Sequence, residues 1–466
     1  MPGTPSSTGC EACRKQKKRC DKVQPKCGRC KRLSINCVGN GVKRWKFQSF
    51  GVEDQRLTPT PKRSPSNGKT RVASSLVHIL GIEDIRYDLR AFGGKLIPDL
   101  PPQLGSSPAL DACVSAMVAL YRSRQYQQSK VEALSRYGEA LAATRKSIMD
   151  PSEPVVVKMR TVSVMYICHS WLDRKHAEQH REMISHLFRE AVEAGKAEEI
   201  EPEYFQGLTQ LAVLANILNP RFELGPWFWN ACKNTGTPRP VRYHQGTFLS
   251  LEPTTMAEAA IYIRSPRRYQ YQIRCMYNLV QSEKARIRQL VTLATMATMT
   301  PKAPPMAMRV LSSYRFAWGL LLGLGSILNH VLRIFDQDLD LLTESHQYVD
   351  EAIVLTEQTA PSRPNGAAFT PDYLKMVWAS ITDNYRSAEI EAILLDYEND
   401  VEGAEYLEEA LAMKRRLYRM ARRETQFQMQ TPPEVPMMLG CSMQVQDPLD
   451  DVQVHDIGAP SECVIL

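Results

Sequence analysis

Six cysteines near the N-terminus are the residues whose types and spacing point most directly to chemistry. They are Cys10, Cys13, Cys20, Cys27, Cys30 and Cys37, in the pattern C-x2-C-x6-C-x6-C-x2-C-x6-C. The second half of this pattern repeats the spacing of the first. A C-x2-C pair can turn two thiolates onto one metal ion, and a third cysteine six residues later can return to it after a short helix. The spacing therefore predicts a metal-thiolate site with two similar halves.

The number of ligands limits how this site can be built. Two separate four-coordinate zinc ions need eight ligand positions, whereas this segment holds six cysteines. Both sites can still be tetrahedral if two of the sulfurs each bind both ions. We therefore predict a cluster of two zinc ions. Because about 40 residues cannot build an adequate hydrophobic core, zinc should supply much of the folding free energy of this segment.

The cysteine segment is also strongly basic. Residues 1–50 contain 13 Lys and Arg side chains and 2 acidic ones, although the whole chain of 466 residues has a formal net charge of +7. The remainder of the chain is therefore net acidic. A local block of positive charge is typical of a surface that binds a polyanion such as DNA. A redox cysteine pair is disfavoured because the sequence around it has no βαβ pattern, and a metal-storage segment would not explain these charges.

The cysteine spacing, the basic run between the second and third cysteines, and a loop ending in Pro-Lys-Cys27 resemble the fungal six-cysteine binuclear zinc cluster family. The resemblance extends from Cys10 to Cys37 without a gap. It implies that Cys10 and Cys27, the first cysteine of each half, bridge the two zinc ions. The other ligands would be Cys13 and Cys20 for one ion, and Cys30 and Cys37 for the other.

The basic run between Cys13 and Cys20 predicts how DNA is bound. Good helix formers and no breaker favour a short helix whose N-terminal end faces the phosphates. The family resemblance places this helix in the major groove, with Lys17 donating to guanine O6 and N7 of a CGG triplet and Lys18 assisting. Other basic residues would contact phosphate or neutralise the cluster. They are Arg14, Lys15, Arg19, Lys22, Lys26, Arg29, Lys31 and Arg32.

The rest of the chain predicts a linker followed by helices. Residues 57–68 are rich in Pro, Ser and Thr and cannot bury apolar surface. From about residue 74 to residue 423, apolar side chains recur at helical steps, as in 131–141 and 376–390, and no strand pattern is present. We predict a mainly α fold with a small N-terminal binuclear zinc cluster module, a Pro/Ser linker and a large all-α regulatory domain. The expected segments are a disordered tail at 1–9, the zinc cluster at 10–47, the linker at 48–75, the helical domain at 76–424 and an acidic disordered tail at 425–466.

The predicted helical domain resembles the fungal-specific regulatory domain that follows such clusters, best over residues 133–142. This resemblance implies an array that senses an effector or binds a partner without catalysis. His176 and His180 stand four residues apart, with two further histidines nearby, a spacing that can hold a metal. The sequence lacks the glutamate directly after the first histidine that a zinc-protease helix uses as its base. We therefore expect surface or packing roles here, and no enzyme.

Two features mark the C-terminal region. From Glu424 onward the chain has seven acids among apolar residues and no Lys or Arg. Such a tail can be an activation segment, and the alternative is an unstructured end without a role. The final residues from Cys463 fit the C-a-a-X pattern with Leu last, which predicts geranylgeranylation. No polybasic segment supports it and a single lipid anchors weakly, so prenylation of Cys463 is the less favoured hypothesis.

The apolar run 316–328 is about 13 residues long, short of the roughly 18 that span a bilayer. We expect a buried core helix there and no transmembrane segment. Many family members form homodimers through a coiled coil after the cluster. Residues 48–75 contain prolines and no sustained heptad pattern, which argues against this route and leaves a homodimer as an open alternative.

Together these features predict a nuclear, sequence-specific DNA-binding regulator of RNA polymerase II transcription, acting as an activator. Its cofactor would be zinc, and its partners double-stranded DNA and the transcription machinery. The alternative is a corepressor or scaffold whose zinc cluster is structural and binds DNA nonspecifically.

Overall fold

A computed structural model describes residues 9–37, 67–92, 96–126, 129–218, 224–234, 248–300, 304–336 and 338–430. The chain divides into two units, with the boundary between Pro65 and Ser66. Within the described residues all regular secondary structure is helical, which confirms the predicted mainly α fold. The described part of the first unit, residues 9–37, contains two short helices, α1 (Glu11–Lys15) and α2 (Gly28–Arg32).

In its described residues, the second unit contains α-helices and four 3-10 turns. The helices are α3 (Gly68–Leu80), α4 (Leu89–Phe92), α5 (Pro108–Tyr126), α6 (Lys130–Met149), α7 (Val155–Leu172), α8 (Arg174–Glu193), α9 (Pro202–Leu218), α10 (Pro226–Asn234), α11 (Pro253–Arg264), α12 (Gln270–Thr298), α13 (Pro305–Phe335), α14 (Leu339–Thr359), α15 (Thr370–Ser380), α16 (Ser387–Glu398) and α17 (Tyr406–Gln430). The 3-10 turns are Pro101–Gln103, Ala197–Glu199, Leu249–Leu251 and Ala360–Ser362.

Helix α3 begins inside the segment 48–75 that the sequence assigned to the linker. The side chain of Asn67 accepts a hydrogen bond from the amide of Thr70 at 2.7 Å, which satisfies a free N–H group in the first turn. At the other end of the unit, α17 continues to Gln430, six residues past the predicted end of the helical domain. Residues 150–154 separate α6 from α7.

Helix α13 lies in the larger hydrophobic core of the second unit. It packs against α12, α14, α15 and α17, and side chains such as Leu321, Leu328 and Val331 are fully buried. Among the described residues, only its segment Met306–Phe335 is long and apolar enough to cross a membrane, and 83% of its most apolar window is buried inside the protein. The predicted buried core helix at 316–328 is confirmed.

Glycines in α13 let neighbouring helices approach closely. A Cβ atom at Gly319 would overlap the ring of Tyr373 on α15, and one at Gly325 would overlap the side chain of Tyr348 on α14. Both tyrosines are fully buried. Because protein interiors are close-packed, these positions leave no room for a larger residue without displacing a ring.

A second hydrophobic cluster joins α3, α5, α6 and α7. The apolar spacing in 131–141 correctly predicted helix α6. However, Val131 and Leu134 are 77% and 45% exposed, whereas the small residues Ala133 and Ala140 are buried. The face of α6 that packs is therefore the one with small side chains, which bring it close to α5.

The apolar spacing in 376–390 does not correspond to one helix. Helix α15 ends at Ser380, and α16 begins at Ser387. Between them, Asn384 and Arg386 adopt left-handed backbone angles, with φ of 62° and 47°. Residues in this conformation cannot continue a right-handed helix, so the prediction of continuous helical spacing was wrong here.

Candidate metal centre

Two cysteines begin the two helices of the first unit. Cys10 and Cys27 are the N-cap residues of α1 and α2, both with extended backbone. The sulfur of Cys27 accepts a hydrogen bond from the amide of Cys30 at 3.4 Å. The amides of Cys10 and Cys27 in turn donate to the sulfurs of Cys20 and Cys37, both at 3.4 Å. Backbone hydrogen bonds therefore hold each third cysteine against the first cysteine of its own half.

The two halves have the same local backbone structure. In each half, a backbone amide five residues after the second cysteine donates to the carbonyl of that cysteine. The amide of Lys18 donates to Cys13 at 2.9 Å, and that of Ile35 donates to Cys30 at 3.0 Å. The preceding residues, Lys17 and Ser34, both adopt left-handed angles, with φ of 49° and 52°. The repeated cysteine spacing thus produces a repeated fold, as the sequence pattern predicted.

The sulfur atoms are arranged for two metal ions. Sγ of Cys10 lies 3.6 Å from Sγ of both Cys27 and Cys30, and Sγ of Cys13 lies 3.7 Å from that of Cys27. Sulfurs bound at 2.3 Å to one tetrahedral zinc would be about 3.8 Å apart. Within the described residues, the groups suited to a metal ion are Cys10, Cys13, Cys20 and Cys27, and Cys10, Cys27, Cys30 and Cys37. Cys10 and Cys27 belong to both groups. Within each group, the sulfurs lie within 4.8 Å of one another.

The environment of the shared cysteines favours the thiolate form that binds metal. A hydrogen bond from the backbone of Cys13 lowers the pKa of the Cys10 thiol, and one from the backbone of Cys30 lowers the pKa of the Cys27 thiol. Burial raises the pKa of Cys13 to about 11. Cys13 therefore depends more on the charge of the metal itself to lose its proton.

The surface around the sulfurs carries exposed cations. The exposed basic residues are Arg14, Lys15, Lys17, Lys18, Arg19, Lys22, Lys26, Lys31 and Arg32. Six thiolates with two divalent zinc ions have a formal charge of about −2, which these side chains offset. Arg29 is half-buried, with Nη1 3.9 Å from Sγ of Cys13 and Nη2 donating to Gln16 at 2.8 Å. It therefore neutralises sulfur and joins the two halves.

The two acidic residues of this module have structural contacts. Asp21 accepts the amide hydrogen of Gly28 through both carboxylate oxygens, at 3.0 and 2.8 Å. Glu11 pairs with Lys15 at 3.4 Å. The sequence reasoning did not identify the role of Asp21. Its position as one of two acids in a basic segment was the available signal.

The predicted helix between Cys13 and Cys20 needs correction. Helix α1 ends at Lys15, and its first turn holds Cys10 and Cys13 against the sulfur cluster. The N-terminal end therefore faces the metal site and is not available for DNA phosphate. Because Lys17 has a left-handed backbone, the basic residues from Lys17 onward lie beyond the C-terminal end of the helix.

The histidines spaced four residues apart, His176 and His180, each contact another side chain in the described structure. Nδ1 of His176 lies 2.7 Å from a carboxylate oxygen of Asp173, and the ring of His180 packs 5.0 Å from that of His169. The C-terminal Cys463 and the rest of the acidic tail beyond residue 430 lie outside the described residues.

The first unit combines two sulfur quartets that share two cysteines with a basic surface. This combination is typical of zinc-thiolate modules that bind DNA. Residues 8–46 match the fungal Zn(2)-Cys(6) binuclear cluster domain. The chain therefore carries this domain, which binds two zinc ions.

A curated protein named "Transcription factor dibT", from Pestalotiopsis microspora, is 38% identical to this chain over 61 residues. The alignment covers 13% of this chain and 10% of that protein, so it concerns one short segment of each. No solved structure matches this chain. The matched domain identifies the N-terminal module as a fungal Zn(2)-Cys(6) binuclear cluster, and the similar segment belongs to a protein named as a transcription factor.

Proposed function

We propose that this chain is a nuclear activator of RNA polymerase II transcription that reads CGG-type triplets in the major groove. The observation that carries the proposal is the pair of sulfur quartets sharing Cys10 and Cys27. This pair lies in a segment, residues 9–37, with ten basic and two acidic side chains. Such a module combines a metal-supported fold with the positive surface that DNA phosphates attract.

In this proposal, Cys10 and Cys27 bridge the two zinc ions. The remaining ligands are Cys13 and Cys20 for one ion, and Cys30 and Cys37 for the other. The fully buried side chains of the described module are cysteines, with Ala12 partly buried beside them. Since no larger apolar cluster supports the module, zinc binding and folding are coupled. DNA binding then depends on zinc because the basic surface exists only in the folded module.

The comparison of the two halves supports recognition by the first half. Residues 17–19 are Lys-Lys-Arg, whereas the equivalent residues 34–36 are Ser-Ile-Asn. The backbone is the same, but only the first half presents a cluster of cations at this turn. We assign Lys17 to the guanine O6 and N7 acceptors, with Lys18 beside it. Both side chains are exposed.

The remaining cations near this turn are assigned to the DNA backbone. They are Arg14, Lys15, Arg19 and Lys22. Contacts of this kind increase affinity for all sequences and make it salt-dependent. A nuclear location and interaction with the transcription machinery follow from this regulatory role, which involves no catalysis.

The proposal is tested by selecting bound sequences from a random pool of duplex DNA with the full chain, with and without a zinc chelator. We expect enrichment of CGG-containing sites that disappears on chelation. The arrangement of the selected triplets distinguishes a monomer from a homodimer. Binding without sequence preference would instead favour the alternative, a scaffold or corepressor with a structural cluster.

A matched pair of variants tests the assignment of Lys17. Lys17→Ala should lose about 1–3 kcal/mol of binding free energy, mainly at the preferred triplet. Lys31→Ala removes an exposed cation from the second half, and should weaken binding to all sequences by a similar small factor. If the two variants behave alike, Lys17 is not the residue that reads the base pairs.

A further inference from the structure

Helix α17 has two opposite faces. One face packs on α15 inside the second unit and buries Ala410, Met413 and Leu417. The other face carries an exposed row of cations, which we call the arginine stripe. The stripe consists of Arg415, Arg419, Arg422 and Arg423. Tyr418 lies within the row and is 63% exposed.

The arginine stripe is not neutralised by the described part of the second unit. None of its four guanidinium groups forms an ion pair with a described residue. The nearest carboxylate in sequence, Glu424, is 3.3 Å from Arg267 and so is already engaged. Like charges four residues apart on a helix, as at Arg415 and Arg419, repel each other and destabilise it. An opposite charge placed on this face would relieve that repulsion.

The sequence that follows α17 supplies this opposite charge. Residues 431–466 lie outside the described residues, and their sequence contains six acids and no Lys or Arg. Three of these acids are close together, at Asp447, Asp450 and Asp451. The apolar residues between the acids also offer contacts for the exposed ring of Tyr418.

The acidic segment is long enough to return along the helix. From Gln430 back to Arg415 is about 22 Å of helix, a distance that about seven extended residues cover. Asp447 follows Gln430 by about 17 residues, so it can reach any arginine of the stripe. Because the segment is joined to α17, its effective concentration at the stripe is in the millimolar range or above.

We propose that residues 431–466 dock back onto the arginine stripe of α17 in the same chain. The contact pairs acidic side chains with guanidinium groups and covers the exposed ring of Tyr418. The contact holds the acidic segment on the surface of the helical unit. By its sequence, this segment is also a candidate activation segment. This contact is independent of the zinc module and of the DNA-binding role proposed for it.

The test uses the full chain with Arg419→Lys and a zero-length carbodiimide cross-linker, which joins an amine to a carboxylate that touches it. The substitution keeps the positive charge but supplies a reactive amine. We expect a cross-linked peptide that joins position 419 to an acid within 431–466. Its yield should fall several-fold in about 0.5 M salt, because exposed charge pairs are screened.

The matched control is Arg136→Lys on α6. Arg136 is also exposed, but it pairs with Glu139 of its own helix at 3.5 Å. This variant should cross-link to Glu139 and not to the acidic segment, which shows that the reagent reports specific contacts. Adding Asp447→Asn, Asp450→Asn and Asp451→Asn to the Arg419→Lys chain should greatly reduce the cross-link to the acidic segment.

Three results would overturn the proposal. One is the absence of a link from position 419 to 431–466 while the control still links to Glu139. A second is a link found mainly between isotopically light and heavy chains in a mixture, since the occupant would then be a second copy. The third is that Arg415→Gln, Arg419→Gln and Arg422→Gln together lower both the affinity and the salt dependence of binding to duplex DNA without CGG. The stripe would then be a DNA-phosphate surface.

Discussion

Replacing Cys27 with serine tests the sharing of sulfurs between the two metal sites. The sulfur of Cys27 belongs to both quartets, whereas that of Cys37 belongs to one. Cys27→Ser therefore removes a ligand from both zinc ions. Cys37→Ser leaves the quartet of Cys10, Cys13, Cys20 and Cys27 complete. The two substitutions are chemically identical, so their difference reports the number of sites that each sulfur serves.

The expected magnitude follows from the ligand count. The unchanged chain should hold two zinc ions, Cys37→Ser close to one, and Cys27→Ser close to none. Binding at a structural zinc site is worth roughly 10–16 kcal/mol and is coupled to folding, so Cys27→Ser should also leave the module unfolded. The assay is the zinc content of chains purified under reducing conditions, measured by mass spectrometry of the metal. Proteolysis within residues 9–37 reports folding in the same samples.

One result would refute this reasoning. If Cys27→Ser retains as much zinc as Cys37→Ser, Cys27 does not serve two ions, and the two-quartet arrangement is not the metal site. Cys113→Ser provides the control, because that thiol is buried in the second unit and belongs to neither quartet. Its zinc content should equal that of the unchanged chain.

Four further predictions concern stability. Burial lowers the pKa of His330 to about 4 from its ordinary 6.5. Above pH 6.5 this histidine is neutral in both the folded and the unfolded chain, so its protonation costs the fold no stability there. About 3 kcal/mol should be lost as the pH falls towards 4, and His330→Gln should flatten this part of a chemical-denaturation series. Gly319→Ala should destabilise the second unit by about 1–3 kcal/mol in thermal unfolding, because its Cβ would overlap Tyr373. Gly138→Ala, which meets nothing within 4 Å, should instead stabilise helix α6 by about 0.5–1 kcal/mol. A zinc chelator should unfold residues 9–37 while the circular dichroism signal of the helical unit persists.

The zinc module was largely predictable from sequence because its geometry is local. The cysteine spacing determines which sulfurs can meet, and the equal spacing of the two halves produced equal backbone turns. The extent of helix α1 was not predictable in the same way. Its end depends on the left-handed backbone at Lys17, and a lysine does not by itself favour that conformation.

The helical unit shows where sequence patterns fail. Periodicity identified α6 but did not reveal that Ala133 and Ala140, rather than Val131, face the interior. That choice depends on how closely α5 can approach, which is a property of both helices. Likewise, buried Lys375 pairs with Glu409, 34 residues later, at 2.5 Å. Such distant pairs arise from tertiary packing and have no local signature.

The burial of α13 has a consequence for synthesis on the ribosome. This helix is apolar enough to resemble a membrane span, and part of its covering comes from α15 and α17, which are translated after it. The last of them ends at Gln430, about 95 residues after Phe335. At 5–20 residues per second, the emerging chain would expose part of this apolar surface for roughly 5–20 s. We expect the nascent chain to bind chaperones that recognise apolar segments during that interval.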